Sequence, residues 1–474
     1  MSVGRISLGL ALAGALAACG GGGGSGGNTG GGNTPTPTGG TPTPSICSLA
    51  DRQAWVLQQL ERDYLFPNLL DTSVDPANYT TVQAYIDALV APARALGRDR
   101  YFTYITSIQE EQDLINSGSS AGFGFRLAYD SVNSRVFILE AFEAGPAFAQ
   151  GIDRGTEIIA VDGTSTADLF ASGGAAAFSE ALGPTEAGVT RTLIIRQPDT
   201  TQSSVTVTKA EYVLDPVSDR YGAVVINNGG TDVGYINLRT FIVADAGPQL
   251  RTAIDGFRQQ GITQVILDFR YNGGGLVSVA ELLGDLLGAD KVGQEYSRTE
   301  FNSILGPANN SSKDFAAQPE AIAATKIAVI GTGSTASASE LTANAFIPYL
   351  GTNLALVGSD TYGKPVGQIA RDRSACDDRL RVMAFRTVNA DGGGDYYNGL
   401  ADVMPRTCAA TDDFLDQFGT TGEASTAAAL TFLGGGACTA ISAAGTQQPL
   451  SRQRTQPMRP GAPTAAQYQI PGLY

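Results

Sequence analysis

Apolar and polar positions follow three different periods along this chain, and each period marks off a stretch of it. Near the amino end the period is helical. Ser48-Leu-Ala-Asp51 reads as a capping box, followed by Trp55, Leu57, Leu60 and Tyr64 at helical spacing, and a second helical pattern covers 81–96. From residue 122 the period becomes two. Strands are predicted at 135–141, 157–161, 190–196 and 204–209, with Gly145-Pro146 opening a short helix that Gly151 ends, and Asp162-Gly163 as a hairpin turn. Beyond Asp215, buried-type apolar runs alternate with helical patterns. Strands are predicted at 233–238, 263–269, 326–330, 354–357 and 380–388, and helices at 249–260, from the 270–275 loop to 287, and at 337–350. That alternation predicts a layered α/β core.

The organisation expected is therefore multidomain α/β: a helical segment at 47–118, a small β-rich unit at 119–210, a catalytic-type α/β core at 211–440 and a tail at 441–474. Roughly 400 residues after a linker exceed what one hydrophobic core usually organises. Residues 446–474 are rich in Pro and Gln and lack acidic residues, so a loosely attached tail is expected there.

The first residues read as an export signal, 1–19. Arg5 supplies charge, 6–16 an apolar stretch too short to span a bilayer, and Leu16-Ala17-Ala18-Cys19 a small-residue cleavage site. A cysteine in that setting resembles a bacterial lipoprotein box. It implies lipidation at Cys19 and a lipid-anchored protein of the bacterial cell envelope, at the outer membrane and facing the periplasm or the surface. Residues 20–46, nearly all Gly, Thr, Pro, Asn and Ser, read as a tether. Cys47, Cys376, Cys408 and Cys438 remain, an even number that predicts two disulfides in an exported chain. Of three connectivities, Cys376–Cys408 (stapling one local excursion) with Cys47–Cys438 (joining the ends of the folded body) is the expectation. The cysteine spacings fit no metal site, and no cofactor is called for. A net charge of −15 argues against a nucleic-acid partner.

Candidate chemistry starts from an absence: the chain has no histidine. Ser337 stands in Gly-Ser-Thr-Ala-Ser-Ala-Ser-Glu (333–340), before an apolar helix. Taken alone, Ser337 with Glu340 is a helix-capping box. As a nucleophile Ser337 needs a base, and with histidine excluded only an amine or a carboxylate could serve. Lysines are only Lys209, Lys291, Lys313, Lys326 and Lys364. Lys364 sits in Thr-Tyr-Gly-Lys-Pro-Val-Gly-Gln, a Gly/Pro turn between two core strands, where burial would lower its pKa. Gln368, four residues on, is placed to orient that amine. Asp268-Phe-Arg-Tyr-Asn-Gly-Gly-Gly275 ends a strand in glycines whose N–H groups suit an oxyanion hole.

Together these motifs resemble the carboxy-terminal processing (tail-specific) serine protease family. Residues 335–340 and 361–364 are similar to its nucleophile and lysine motifs, and 268–275 to its Asp-Leu-Arg-Asn-Asn-Pro-Gly-Gly segment. The resemblance covers roughly 50–435. It implies a core of the Clp protease/crotonase type, with Ser337 as nucleophile, Lys364 as general base, Gln368 in support, and the N–H groups of Gly274 and Ala338 as oxyanion hole. Gly122-Phe123-Gly124-Phe125 resembles the Gly-Leu-Gly-Phe loop of a PDZ domain, where backbone N–H groups converge on a peptide carboxylate. The partners implied are proteins or peptides with accessible carboxyl termini. Gly273 departs from the family by replacing its proline, and the Ser337-to-Lys364 interval is slightly longer, around 348–353. A catalytically silent peptide-binding scaffold is the alternative; the intact Ser337, Lys364 and Gln368 speak against it. A penicillin-binding or β-lactamase-type site needs a serine three residues before a lysine, and those positions hold Thr206, Gly288, Asn310, Ala323 and Thr361.

Overall fold

The computed structural model describes residues 46–442, 455–461 and 463–474. The expected signal with Cys19, and the linker up to residue 45, lie outside the described residues. Among the described residues no helix is long and apolar enough to cross a membrane.

The catalytic-type core is a six-stranded sheet. An antiparallel hairpin, Ala223–Asn228 and Thr231–Asn237, leads into four parallel strands: Gln264–Asp268, Lys326–Gly331, Leu354–Gly358 and Thr407–Ala409. The three middle parallel strands are buried almost throughout, which is why they read as unbroken apolar runs. Helices Ala246–Gln259, Val277–Leu287 and Ala338–Leu350 cover one face through Leu250, Leu283 and Phe346, and helix Ala424–Leu433 covers the other through Leu430 and Phe432. Parallel pairing brings the carboxyl ends of adjacent strands to one edge. The loops at 269–275, 332–337 and 359–365 therefore lie side by side.

A five-stranded sheet flanks this edge, in which Asp378–Val388 pairs with Tyr104–Ser107, Glu295–Phe301 and Val366–Arg373. Helix Leu49–Asp63, capped by Ser48 as expected, packs Val56 and Leu60 into one cluster with Leu380, Val382 and Met383. The second helical pattern is split into Val82–Leu89 and Ala91–Ala95, with Pro92 in the first turn of the second piece. The β-rich unit carries Phe125–Asp130, Arg135–Ala141, Glu157–Val161, Thr190–Arg196 and Gln202–Thr208 in one antiparallel sheet. Helix Thr166–Leu182, which sequence periodicity missed, covers that sheet with Phe178 and Leu182; Gly173 and Gly174 interrupt it and blur its pattern.

Two expectations are corrected. The disulfides are Cys47–Cys376 and Cys408–Cys438. Cys376 lies in the hairpin turn between Val366–Arg373 and Asp378–Val388, and that turn is held to the first helix by Arg52 to Asp378 and by Arg373 to the carbonyl of Asp51. Cys408 is on the edge strand of the other sheet, next to the chain leaving helix Ala424–Leu433. Sequence intervals do not distinguish the pairings, since Cys408–Cys438 spans 30 residues, much like the expected Cys376–Cys408; packing of the first helix against the 374–377 turn decides them. The tail, expected to be loose, is packed: Thr455–Pro457 pairs with Phe125–Asp130, helix Ala465–Gln469 is capped by Thr464, and Met458, Ile470, Leu473 and Tyr474 are buried. Four apolar anchors outweighed a polar composition.

Candidate active site

Ser337 follows the turn that leaves strand Lys326–Gly331 and precedes helix Ala338–Leu350. Its backbone, φ 56° and ψ −116°, lies where a residue with a side chain is strained. Such strain persists only when its surroundings enforce it, and here they do. Thr335 Oγ1 donates to the Phe269 carbonyl at 2.8 Å, while Ala336 N–H and Ser339 Oγ donate to the Asn272 carbonyl at 3.0 and 3.1 Å. The serine turn is stitched to the glycine loop. A sharp strand-to-helix turn with a strained serine is how hydrolases present a nucleophile above a sheet.

The glycine loop is fixed from below. Arg270, fully buried, bridges Asp268 (2.6 Å) and Glu423 (2.6 Å), and Tyr235 adds a hydrogen bond to Asp268 at 2.7 Å. A side chain at Gly274 would place its Cβ 2.7 Å from Ser337 Cβ and 2.9 Å from Ala338 N, so only glycine fits beside Ser337. The structure brings Gly274 and Ala338 together at Ser337. The Gly274 N–H, however, donates to Asn272 Oδ1 at 2.9 Å.

Lys364 arrives on the neighbouring loop. Its amine donates to Gln368 Oε1 at 3.0 Å and lies 5.1 Å from the centre of the Phe102 ring; Gln368 in turn donates to the Phe102 carbonyl. The amine points to Gln368, not to the Ser337 hydroxyl. What surface Lys364 keeps faces a cavity of about 70 Å3 lined also by Tyr362, Ser334 and Ala336. Loss of hydration there pulls its pKa from 10.5 down to about 8, against the opposing pull of Asp99. Arg100 holds the lysine turn from outside, donating to the carbonyls of Tyr362, Gly363 (2.9 Å) and Tyr397 (2.8 Å).

Glu340 joins the two motifs, a role sequence reading missed by treating it as a capping partner. Its Oε2 accepts from the N–H groups of both Ser337 (2.9 Å) and Lys364 (2.7 Å). Its Oε1 accepts from Gly363 N–H (2.6 Å) and Thr361 Oγ1 (2.5 Å). One carboxylate thus fastens the serine turn to the lysine turn. Burial pushes its pKa up to about 7, the four donors holding it lower than burial alone would. The capping box was the available signal; its second use depends on contacts 21–24 residues away.

At Gly122-Phe123-Gly124-Phe125 the two phenylalanines are fully buried and stacked, ring centres 5.3 Å apart. Both glycines have positive φ, 157° and 80°, and a Cβ at Gly124 would meet Gly145 Cα at 2.4 Å. The N–H groups of Gly124 and Phe125 converge on one oxygen, that of Tyr474, at 3.0 and 3.3 Å. Arg126 ties this unit to the glycine loop beside Ser337: its guanidinium donates to the Tyr271 carbonyl (2.7 Å) and pairs with Glu140 (3.0 Å), itself paired with Arg239 (2.6 Å). A cavity of about 720 Å3 runs from Tyr129 on this unit to Ser334 and Ser359 at the ends of the core strands.

Known proteins resemble the chain in both sequence and fold. Residues 232–400 match Peptidase family S41. A carboxyl-terminal-processing protease of Picosynechococcus sp. is 28% identical over 256 residues, 52% of this chain and 55% of that protein. A carboxy-terminal processing protease of Bacillus subtilis is 25% identical over 366 residues, 75% of this chain and 68% of the relative. The chain therefore spans a little over half to two thirds of the length of these homologues. A putative S41 protease of Bacteroides fragilis superposes with a TM-score of 0.62 at 24% identity, covering 80% of this chain and 97% of that one, so the two share a fold.

Proposed function

We propose, with residues 232–400 as a Peptidase family S41 core, that the protein is a serine endopeptidase acting on exported proteins at or near their carboxyl-terminal tails. Ser337 is the nucleophile and Lys364 the general base. The neutral amine swings from Gln368 to the Ser337 hydroxyl and takes its proton as the oxygen attacks the scissile carbonyl. The oxyanion is met by Ala338 N–H at the positive end of its helix, joined by Gly274 N–H once it leaves Asn272. Lys364 returns the proton to the departing amine. It then deprotonates the water that cleaves the acyl-serine ester, releasing the new carboxylate and restoring the hydroxyl.

The observation that carries this reading is the Glu340 carboxylate, which holds a strained serine and a desolvated lysine on the same oxygen. Hydrogen bonds between catalytic groups are often loose without substrate. The PDZ-like loop at Gly122–Phe125 is read as the groove that captures substrate tails, and Cys19 as the lipid anchor placing the enzyme in the cell envelope. Hydrolysis of a denatured protein with an apolar carboxyl terminus tests the reading. Ser337→Ala and Lys364→Ala should each abolish turnover with the fold intact; wild-type turnover in either variant rejects the Ser/Lys mechanism, and a parent chain with no turnover leaves the silent scaffold.

A further inference from the structure

The peptide groove is already filled, and by this chain itself. Tyr474 O accepts from Gly124 and Phe125, Tyr474 N–H donates to the Phe125 carbonyl at 3.0 Å, and Gly472 O accepts from Leu127 N–H at 2.8 Å. With the antiparallel bridge between Arg126 and Leu473, residues 472–474 run as a strand along Phe125–Leu127. Farther along, 455–457 pair with 128–130. A peptide that binds by adding a strand needs this free edge. No length of it is free.

The fit is specific at both ends of the segment. A Cβ at Gly122 would come within 2.8 Å of the Tyr474 carbonyl carbon, so the loop is shaped to this backbone. The Tyr474 ring, 3% exposed, packs in one cluster with Phe123, Phe178 and Leu182, and its hydroxyl donates to Ser179 Oγ at 2.9 Å. At the other end Tyr468 stacks on Tyr104, centres 3.9 Å apart, and Gln469 donates to the Tyr104 hydroxyl at 2.7 Å. Tyr468, Gln469 and Pro471 wall the cavity that reaches Lys364. Gly273 fits the same picture. It has no left-handed φ, so its backbone does not demand glycine, yet a Cβ there would stand 2.5 Å from the Gln469 carbonyl oxygen. Glycine at this position makes room for the segment.

We propose that residues 464–474 are an intramolecular ligand of the peptide groove, which blocks both the groove and the approach to Lys364, and that the groove selects displacing peptides ending in tyrosine through Ser179. The proposal rests on the reading of this groove as the substrate-tail site. An incoming tail must compete with a tethered occupant. At an effective concentration on the order of 1 mM, an occupant whose own intrinsic dissociation constant is about 10 μM weakens any competing peptide roughly 100-fold. The tyrosine hydroxyl adds one neutral hydrogen bond, about three- to tenfold in affinity over phenylalanine.

The test measures binding, not cleavage, in the full chain carrying Ser337→Ala. A fluorescent peptide with the sequence of 469–474 and a free carboxylate is titrated by anisotropy. Adding Tyr474→Ala should tighten binding at least tenfold, and adding Ser179→Ala to that variant should remove the preference for a Tyr-ended over a Phe-ended peptide. Equal affinity with and without Tyr474→Ala overturns the occupancy, and a preference untouched by Ser179→Ala overturns the selection. Should Tyr474→Ala fail to fold, hydrogen exchange of the Ser337→Ala chain decides: 464–474 should be protected alone and exposed with saturating peptide. An unprotected segment, or protection that peptide does not remove, overturns the proposal. A chain that passes these tests yet has no Ser337-dependent hydrolysis refutes the proposed protease and leaves this inference standing; the converse refutes this inference alone.

Discussion

As the proposed general base, Lys364 makes opposite demands on stability and activity, and both are measurable on one residue. With its pKa at about 8, about 9% of the amine is neutral at pH 7, against about 0.03% for an ordinary lysine, a roughly 300-fold advantage as a base. Hydrolysis should rise tenfold per pH unit below 8 and level off above, about 90-fold between pH 6 and 9. The same burial costs stability. Between pH 8 and 10.5 the unfolded chain holds the lysine proton and the folded chain does not, so stability rises with pH across that window. Below pH 8 the full cost, about 3 kcal/mol at most, is present. Lys364→Met removes it but strips Gln368 Oε1 of its donor, a loss of about 1 kcal/mol. The variant should therefore be about 2 kcal/mol more stable than the parent at pH 7, equal near pH 10, and less stable above. Urea unfolding across pH, beside initial rates on a fluorogenic peptide, reads both. A rate flat from pH 6 to 9, or a Lys364→Met variant less stable at pH 7, would refute the argument that burial activates this lysine.

Glu340→Gln turns an amide group toward two backbone or hydroxyl donors, whichever way it sits. It should lower stability by about 2–4 kcal/mol and kcat about 100-fold with KM little changed, read by thermal unfolding and steady-state kinetics. Gly274→Ala pushes a methyl against Ser337 and Ala338 and should reduce kcat at least about 100-fold while the fold survives by circular dichroism. Replacing Cys408 and Cys438 by serine opens a loop with a sequence separation of 30 and should cost about 3 kcal/mol in chemical unfolding, without lowering kcat at 25 °C.

How far the sequence could be read depends on the range of the forces involved. Strands such as Gln264–Asp268 and Lys326–Gly331 announce themselves because burial on both faces leaves an unbroken apolar run. Ser337 and Lys364 stood out through local motifs and the lack of histidine. Glu340 did not, since its link to Thr361, Gly363 and Lys364 is made only when two loops meet at the sheet edge. Helix Thr166–Leu182 was hidden by two glycines that break its periodicity. The disulfides were mispaired because Cys47 and Cys376 meet through packing, 329 residues apart. The packing of 455–474 rests on a few buried anchors in a polar context, which composition averages away.

The central claim, that Ser337 is a nucleophile activated by Lys364, is tested most directly by acylation. The intact chain is treated at pH 8 with a serine-directed acylating probe, and the adduct is located by peptide mass spectrometry. The account predicts one stoichiometric adduct on Ser337, absent in Lys364→Ala. An adduct that persists in Lys364→Ala, or that falls on another serine while Ser337 stays unmodified, contradicts it.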